Sequence, residues 1–117
     1  MGATSIEFEN VFDVLAEGLT DFKPSESEWE EDRLSYPFLS DMVRYVCDRA
    51  YPEFETSLRQ FADLLEKLIG EGDSRVHDLA RDALDTLWGQ DEREFISGYL
   101  GPKTREVWKR IRAGEHG

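Results

Sequence analysis

The chain has 117 residues, of which 39% are hydrophobic and 12% aromatic, so it can form one folded domain without a disulfide or a structural metal. Its 26 acidic residues outnumber its 14 lysines and arginines and give a net charge of −12, which disfavours binding to nucleic acid or to an anionic membrane. Cys47 is the single cysteine and no apolar run approaches about 18 residues, so no intrachain disulfide or membrane helix is expected, and we predict a cytoplasmic location.

The N-terminal part combines one predicted helix with most of the negative charge. Thr4 and Glu7 have the spacing of a capping box, and they precede apolar residues at helical intervals: Phe8, Val11, Phe12, Leu15 and Leu19. Residues 1–32 contain ten carboxylates and one basic residue, Lys23, which gives this part a net charge of −9. Residues 102–117 have a net charge of +3. The charge is therefore strongly asymmetric along the chain.

The stretch "KPSESEWEEDR", residues 23–33, surrounds one tryptophan with five carboxylates. A solvated loop, a catalytic carboxylate cluster and a surface for a basic partner are the three interpretations of this pattern. Trp29 is either a core residue of a short helix or an interface anchor, since a large aromatic ring serves both purposes. In the interface interpretation, the predicted partner-binding residues are Glu26, Glu28, Trp29, Glu30, Glu31, Asp32 and Tyr36.

The middle of the chain predicts three further helices. An apolar stripe from Phe38 to Cys47 follows Pro37, which suits a first helical turn. The next predicted helix covers residues 54–70, where apolar residues recur at intervals of three and four, and the one after it covers residues 74–88. Between these two helices, Asp73 has the chemistry of an N-cap, and Gly70 or Gly72 that of a left-handed C-cap. The pattern predicts antiparallel packing of these two helices, with six buried residues: Phe61, Leu65, Leu68, Leu79, Ala83 and Leu87.

The C-terminal quarter predicts two short helices separated by "YLGPKT", residues 99–104. This segment has glycine, lysine and threonine but lacks the spacing and the preceding strand of a phosphate-binding loop. We interpret Gly101 as a turn residue, Pro102 as a helix start and Lys103 as a solvated side chain. A last amphipathic helix follows with Val107, Trp108 and Ile111 on one face.

One family resemblance is carried by residues 58–112. The segments "FADLLEKLIGEGDSRVHDLARDALDTLWG" and "FISGYLGPKTREVWKRI" resemble the C-terminal half of a family of small helical bacterial proteins without established biochemical activity. Members occur beside polymorphic and contact-dependent toxins and are interpreted as immunity proteins. The shared elements are Leu64, Leu65, Leu68, Gly72-Asp73, Val76, Leu79, Leu87-Trp88 and residues 99–104. The resemblance implies an all-α fold and toxin neutralisation, and it implies no catalytic residues.

Catalytic chemistry is weakly represented in the sequence. Cys47 and His77 are a conceivable nucleophile and base, but Cys47 lies on an apolar stripe and no orienting residue is marked out. His77 shares one helix face with Asp73 and Arg81, which is typical of a solvated, charged surface. Two isolated histidines and one cysteine do not form a zinc pattern. We therefore expect no catalytic residues, no metal ligands and no cofactor.

Together these observations predict an all-α, compact antiparallel bundle of about six helices. Residues 1–117 are expected to form a single domain, with an acidic N-terminal part at 1–33 and a helical-hairpin core at 52–113. The predicted function is that of a non-enzymatic immunity protein whose partner is a cognate toxin domain with a basic surface, a nuclease being one candidate. The alternatives are an acidic nucleic-acid mimic that inhibits a nuclease or defence complex, and a small helical enzyme. Neither nucleic acid nor a membrane is an expected partner.

Overall fold

The computed structural model describes residues 6–19, 22 and 35–114 and is all-α, as predicted. The described residues contain six α-helices and two short 3₁₀ turns, Phe8–Asn10 before the first helix and Pro52–Phe54 before the third. The helices are α1 (Val11–Ala16), α2 (Ser35–Cys47), α3 (Glu55–Glu71), α4 (Ser74–Trp88), α5 (Arg93–Ser97) and α6 (Pro102–Arg112). In this part of the chain, no helix is long and apolar enough to cross a membrane.

The centre of the fold is α4, which packs against α2, α3 and α6. Its apolar face repeats at intervals of three and four residues, so one stripe of the helix is buried along its length. The six residues predicted to be buried in α3 and α4 are all at most 1% exposed, which confirms the prediction: Phe61, Leu65, Leu68, Leu79, Ala83 and Leu87. The two helices are joined by only two residues and pack as a hairpin.

The N-terminal segment is attached to the turn between α3 and α4. The Ile6 amide donates to the carbonyl oxygen of Glu71 at 3.0 Å, and the Asp73 amide donates to the Ile6 carbonyl at 2.9 Å. The predicted cap residue Thr4 lies outside the described residues. The observed cap involves Glu7, whose amide donates to Oδ1 of Asn10 at 3.2 Å. This arrangement anchors α1 to the hairpin and buries its apolar side against α2.

The turn between α3 and α4 shows one confirmed and one incorrect prediction. Asp73 is the N-cap of α4, and its Oδ1 accepts a hydrogen bond from the Val76 amide at 2.9 Å. The predicted left-handed C-cap is wrong, because Gly70 is helical and Gly72 has a φ of −83°. Gly72 is nevertheless tightly enclosed: a Cβ there would overlap the Leu68 carbonyl oxygen and the Val76 side chain. Close approach, and not left-handed geometry, favours glycine at this position.

The "YLGPKT" segment is a helix start stabilised by a carboxylate from another helix. Gly101 is the N-cap of α6 and Pro102 lies in its first turn, as predicted. Glu66 of α3 accepts hydrogen bonds from the Lys103 and Thr104 amides at 3.1 and 2.9 Å, and from Oγ1 of Thr104 at 2.8 Å. A Cβ at Gly101 would lie 2.6 Å from Glu66 Oε1. The distinctive residues of this segment are therefore explained by the packing of α6 against α3.

Candidate functional site

Tyr36 is the one predicted partner-binding residue whose surroundings the structure describes. It lies in the first turn of α2 and is 40% exposed. The other predicted residues lie outside the described part of the chain: Glu26, Glu28, Trp29, Glu30, Glu31 and Asp32. Whether Trp29 is core or interface stays a prediction.

Tyr36 borders a shallow groove that is lined mainly by carboxylates of α4. The groove has a volume of about 230 Å³, and its other lining residues are Asp78, Arg81, Asp82 and Asp85. The three aspartates are spaced by four and three residues, so the helix presents them on one face. The spacing of these aspartates is visible in the sequence and was not among the predicted partner-binding features. The spacing does not indicate that Tyr36 of α2 lies beside them.

Burial and the crowding of carboxylates both shift the pKa values of this acidic groove. Burial, and then the negative charges of Asp78 and Asp82, raise the pKa of the Tyr36 phenol, and Arg75 opposes this effect. Desolvation and the charge of Asp85 raise the pKa of Asp82. Tyr36 is thus a protonated hydrogen-bond donor at neutral pH. Three aspartates and Arg81 line the groove, which gives the lining a formal charge of −2, so a cationic group that entered the groove would be attracted.

The rim of the groove is held by a second aromatic ring and one arginine. The Phe8 and Tyr36 ring centroids are 6.2 Å apart, and the Arg75 guanidinium lies 4.4 Å from the Phe8 centroid. The same guanidinium lies 3.7 Å from a carboxylate oxygen of Glu9. Phe8 is itself fixed, because its amide donates to Oδ2 of Asp73 at 3.0 Å. The groove therefore joins α2, α4 and the N-terminal segment into one surface.

Cys47 has the environment of a core residue. Its side chain is 5% exposed at the end of α2. Burial, followed by the charges of Glu92 and Asp48, raises the pKa of the thiol to about 12. The thiolate is the nucleophilic form of cysteine, and it is scarcely populated at neutral pH in this environment. Within residues 6–19, 22 and 35–114, no group of three or more His, Cys, Asp or Glu side chains is arranged to hold a metal ion.

We expect the Cys47 thiol to react slowly with a thiol-specific reagent in the native protein and rapidly in denaturant. Burial limits access to the sulfur atom, and the raised pKa keeps it protonated. The measurement is the labelling rate at pH 7 with and without denaturant, with free cysteine as the reference. Native labelling at the rate of free cysteine would contradict the burial of this side chain.

Comparison of the chain with protein-family models, curated proteins and solved structures finds no match.

Proposed function

We propose that this protein is an immunity protein that binds a cognate toxin domain and neutralises it by covering a basic surface. The observation that carries the proposal is the acidic groove at Tyr36, in which three aspartates of α4 lie beside a partly exposed aromatic ring. This groove adds a defined acidic surface to a chain whose net charge is already −12. The resemblance of residues 58–112, which is inferred from the sequence alone, implies the same partner.

The groove suits a partner that presents lysine or arginine side chains. Asp78 and Asp82 are exposed, so a partner's cation reaches them without opening the fold. A toxin that cleaves nucleic acid has a basic cleft for its substrate, and an acidic surface placed over that cleft excludes the substrate. The Tyr36 ring contributes apolar contact area and a hydroxyl donor next to the charges. Charge would then accelerate association, and the ring would slow dissociation.

The gene neighbourhood and a co-expression assay test this proposal. We expect the reading frame immediately upstream to encode a large secreted protein with a short C-terminal toxin domain. Co-expression of the present chain should rescue cells from that domain and not from unrelated toxins. A chain that instead binds several unrelated nucleic-acid-binding proteins with equal affinity would be a general nucleic-acid mimic. An upstream frame that encodes no secreted toxin, or a toxin domain that the purified chain does not bind, would contradict the proposal.

Neutralising Asp78 and Asp82 together, by Asp78→Asn and Asp82→Asn, should slow association with the toxin domain about tenfold or more at low ionic strength. The difference should shrink at physiological salt, where the screening length is about 8 Å. The matched control is Glu17→Gln with Asp63→Asn, which changes the net charge equally in a separate groove between α1 and α3. The measurement is stopped-flow or surface-based kinetics at two salt concentrations.

Equal association rates for both double variants would show that only net charge matters and that the acidic groove is not the contact surface. A third variant, with Glu28, Glu30 and Glu31 neutralised, tests the predicted acidic stretch in the same assay. Tyr36→Ala completes the set, and we expect it to change mainly the dissociation rate.

A further inference from the structure

A second surface of unusual composition lies at the other end of α2. Four large hydrophobic side chains among the described residues are partly exposed, and three of them are near this end: Tyr51, Phe54 and Phe95, with exposures of 56%, 38% and 40%. We call this surface the aromatic ridge and define it as Tyr51, Phe54, Phe95 and Tyr99 together with Arg49 and Arg59.

The first half of the ridge is built around Arg49. Its guanidinium lies 3.8 Å from the centroid of the Tyr45 ring and 5.9 Å from that of Phe54. Arg49 also donates to the Tyr45 carbonyl oxygen at 3.4 Å, and the Phe54 amide donates to the Tyr51 carbonyl at 3.0 Å. Arg49 thus links the Tyr45 ring of α2 to the Phe54 ring at the end of the loop between α2 and α3.

The second half of the ridge is built around Arg59, one turn into α3. Its Nε donates to Oε2 of Glu55 at 3.0 Å, and its guanidinium lies 5.8 Å from the centroid of the Tyr99 ring. The rings of Phe95 and Tyr99 pack edge to face with centroids 5.8 Å apart. Because Glu55 directly follows Phe54, the first turn of α3 joins the two halves. The charges of both Asp48 and Glu92 act on the Cys47 thiol, which also places the end of α2 near the segment before α5.

The composition of the ridge is that of a protein-binding surface. Aromatic residues and arginine are enriched among residues that contribute most to binding, and surfaces of free monomers seldom cluster them. Stacking of the guanidinium groups on the rings orients these side chains before binding, which lowers the entropic cost of ordering them on association. Exposed carboxylates flank the ridge: Asp48, Glu53 and Glu94.

The carboxylates around the ridge indicate which kind of partner binds there. A second copy of the chain would carry the same net charge of −12, so the two copies would repel each other. A partner with an apolar projection flanked by lysine or arginine side chains would meet both the rings and the surrounding carboxylates favourably. We propose that the aromatic ridge is a docking surface for the basic toxin domain, in addition to the acidic groove. This proposal rests on the proposed function, because it assigns the same partner to a second surface.

The two surfaces are far enough apart to be tested separately. Tyr36 and Cys47 are eleven residues apart on α2, which corresponds to roughly 17 Å along the helix axis. Substitutions at that separation, without shared partners, usually act additively. In a variant that combines a ridge substitution with a groove substitution, the two fold-changes in the dissociation constant should therefore multiply.

The first test is the dissociation rate of an inactive form of the upstream toxin domain. Tyr51→Ser combined with Phe54→Ser should raise that rate at least tenfold. The matched control is Tyr51→Phe, which keeps the ring and should leave the rate unchanged. The thermal midpoint of each free variant provides the folding check. As a readout that needs no variant, amide hydrogen exchange of the wild-type complex should show new protection in residues 48–54 and 93–99.

The outcomes separate the two proposals. In the first outcome, the wild-type chain binds the toxin domain, the double variant dissociates at the wild-type rate, and residues 48–54 and 93–99 gain no protection. The ridge is then not a docking surface, and the proposed function survives. If the wild-type chain does not bind the toxin domain, the proposed function fails and the partner assigned to the ridge fails with it. Self-association of the free chain that Tyr51→Ser and Phe54→Ser abolish would identify a second copy as the occupant and overturn the proposal.

Discussion

Leu65→Ala should lower the free energy of unfolding by about 2–5 kcal/mol. Leu65 is fully buried in α3, within the core that this helix shares with α4. Truncation to alanine removes the transfer free energy of the lost methyl and methylene groups and leaves a cavity that close-packed neighbours fill only in part. Denaturant unfolding followed by circular dichroism measures the change.

The control for this variant is Lys67→Ala, two residues further along the same helix. Lys67 is exposed, and alanine and lysine have similar helix propensities, so its effect should stay within about 0.5 kcal/mol. Leu84→Ala in α4, also fully buried, should behave like Leu65→Ala. A loss below about 1 kcal/mol at both leucines would contradict the packing of the two helices.

Glu66→Ala should lower the free energy of unfolding by about 1–3 kcal/mol. The substitution removes the acceptor for two amides at the start of α6 and for the hydroxyl of Thr104. Thr104 is fully buried, so its hydroxyl would lose its partner without access to solvent. Glu66→Gln keeps one acceptor oxygen and should cost less. In a double-mutant cycle with Thr104→Val, the two changes should be non-additive.

The contribution of Glu66 should also depend on pH. Burial alone would raise the pKa of this carboxyl, but the hydrogen bonds from Thr104 and Lys103 and the Lys103 charge outweigh burial and lower the pKa. Since the folded state has the lower pKa, the carboxylate stabilises the fold above the unfolded pKa of about 4.3. That stabilisation is lost as the pH falls through the folded pKa. Unfolding experiments at pH 7 and pH 3 should show the difference between wild type and Glu66→Gln shrinking at acid pH; an equal difference at both values would exclude a role for the charge.

The hairpin of α3 and α4 shows how far local sequence patterns reach. The predicted helices at 54–70 and 74–88 are observed at Glu55–Glu71 and Ser74–Trp88, and the predicted N-cap Asp73 is in place. Apolar periodicity, capping and turn residues act within about four residues, so they can be read without the rest of the chain. The all-α class follows from the same patterns.

The two tightly enclosed glycines show what local sequence patterns do not predict. Gly72 follows α3 and Gly101 precedes α6, and neither has a left-handed conformation. At each position another group lies close to the backbone: the Leu68 carbonyl oxygen and Val76 at Gly72, and the Glu66 carboxylate at Gly101. Close approach depends on how helices pack, and no local pattern encodes it.

The candidate binding surfaces also combine features that the sequence determines with features that only the tertiary structure decides. The sequence by itself determined the helical class, the boundaries of the long helices, the burial of Cys47 and the excess of negative charge. Only the tertiary structure decided that Tyr36 lies beside Asp78 and Asp82, and that Arg59 lies over Tyr99, 40 residues further along the chain. The physical reason is the sequence separation over which the interactions act. Helix formation depends on residues about one turn away, whereas a binding surface forms only when burial of apolar stripes brings distant helices together.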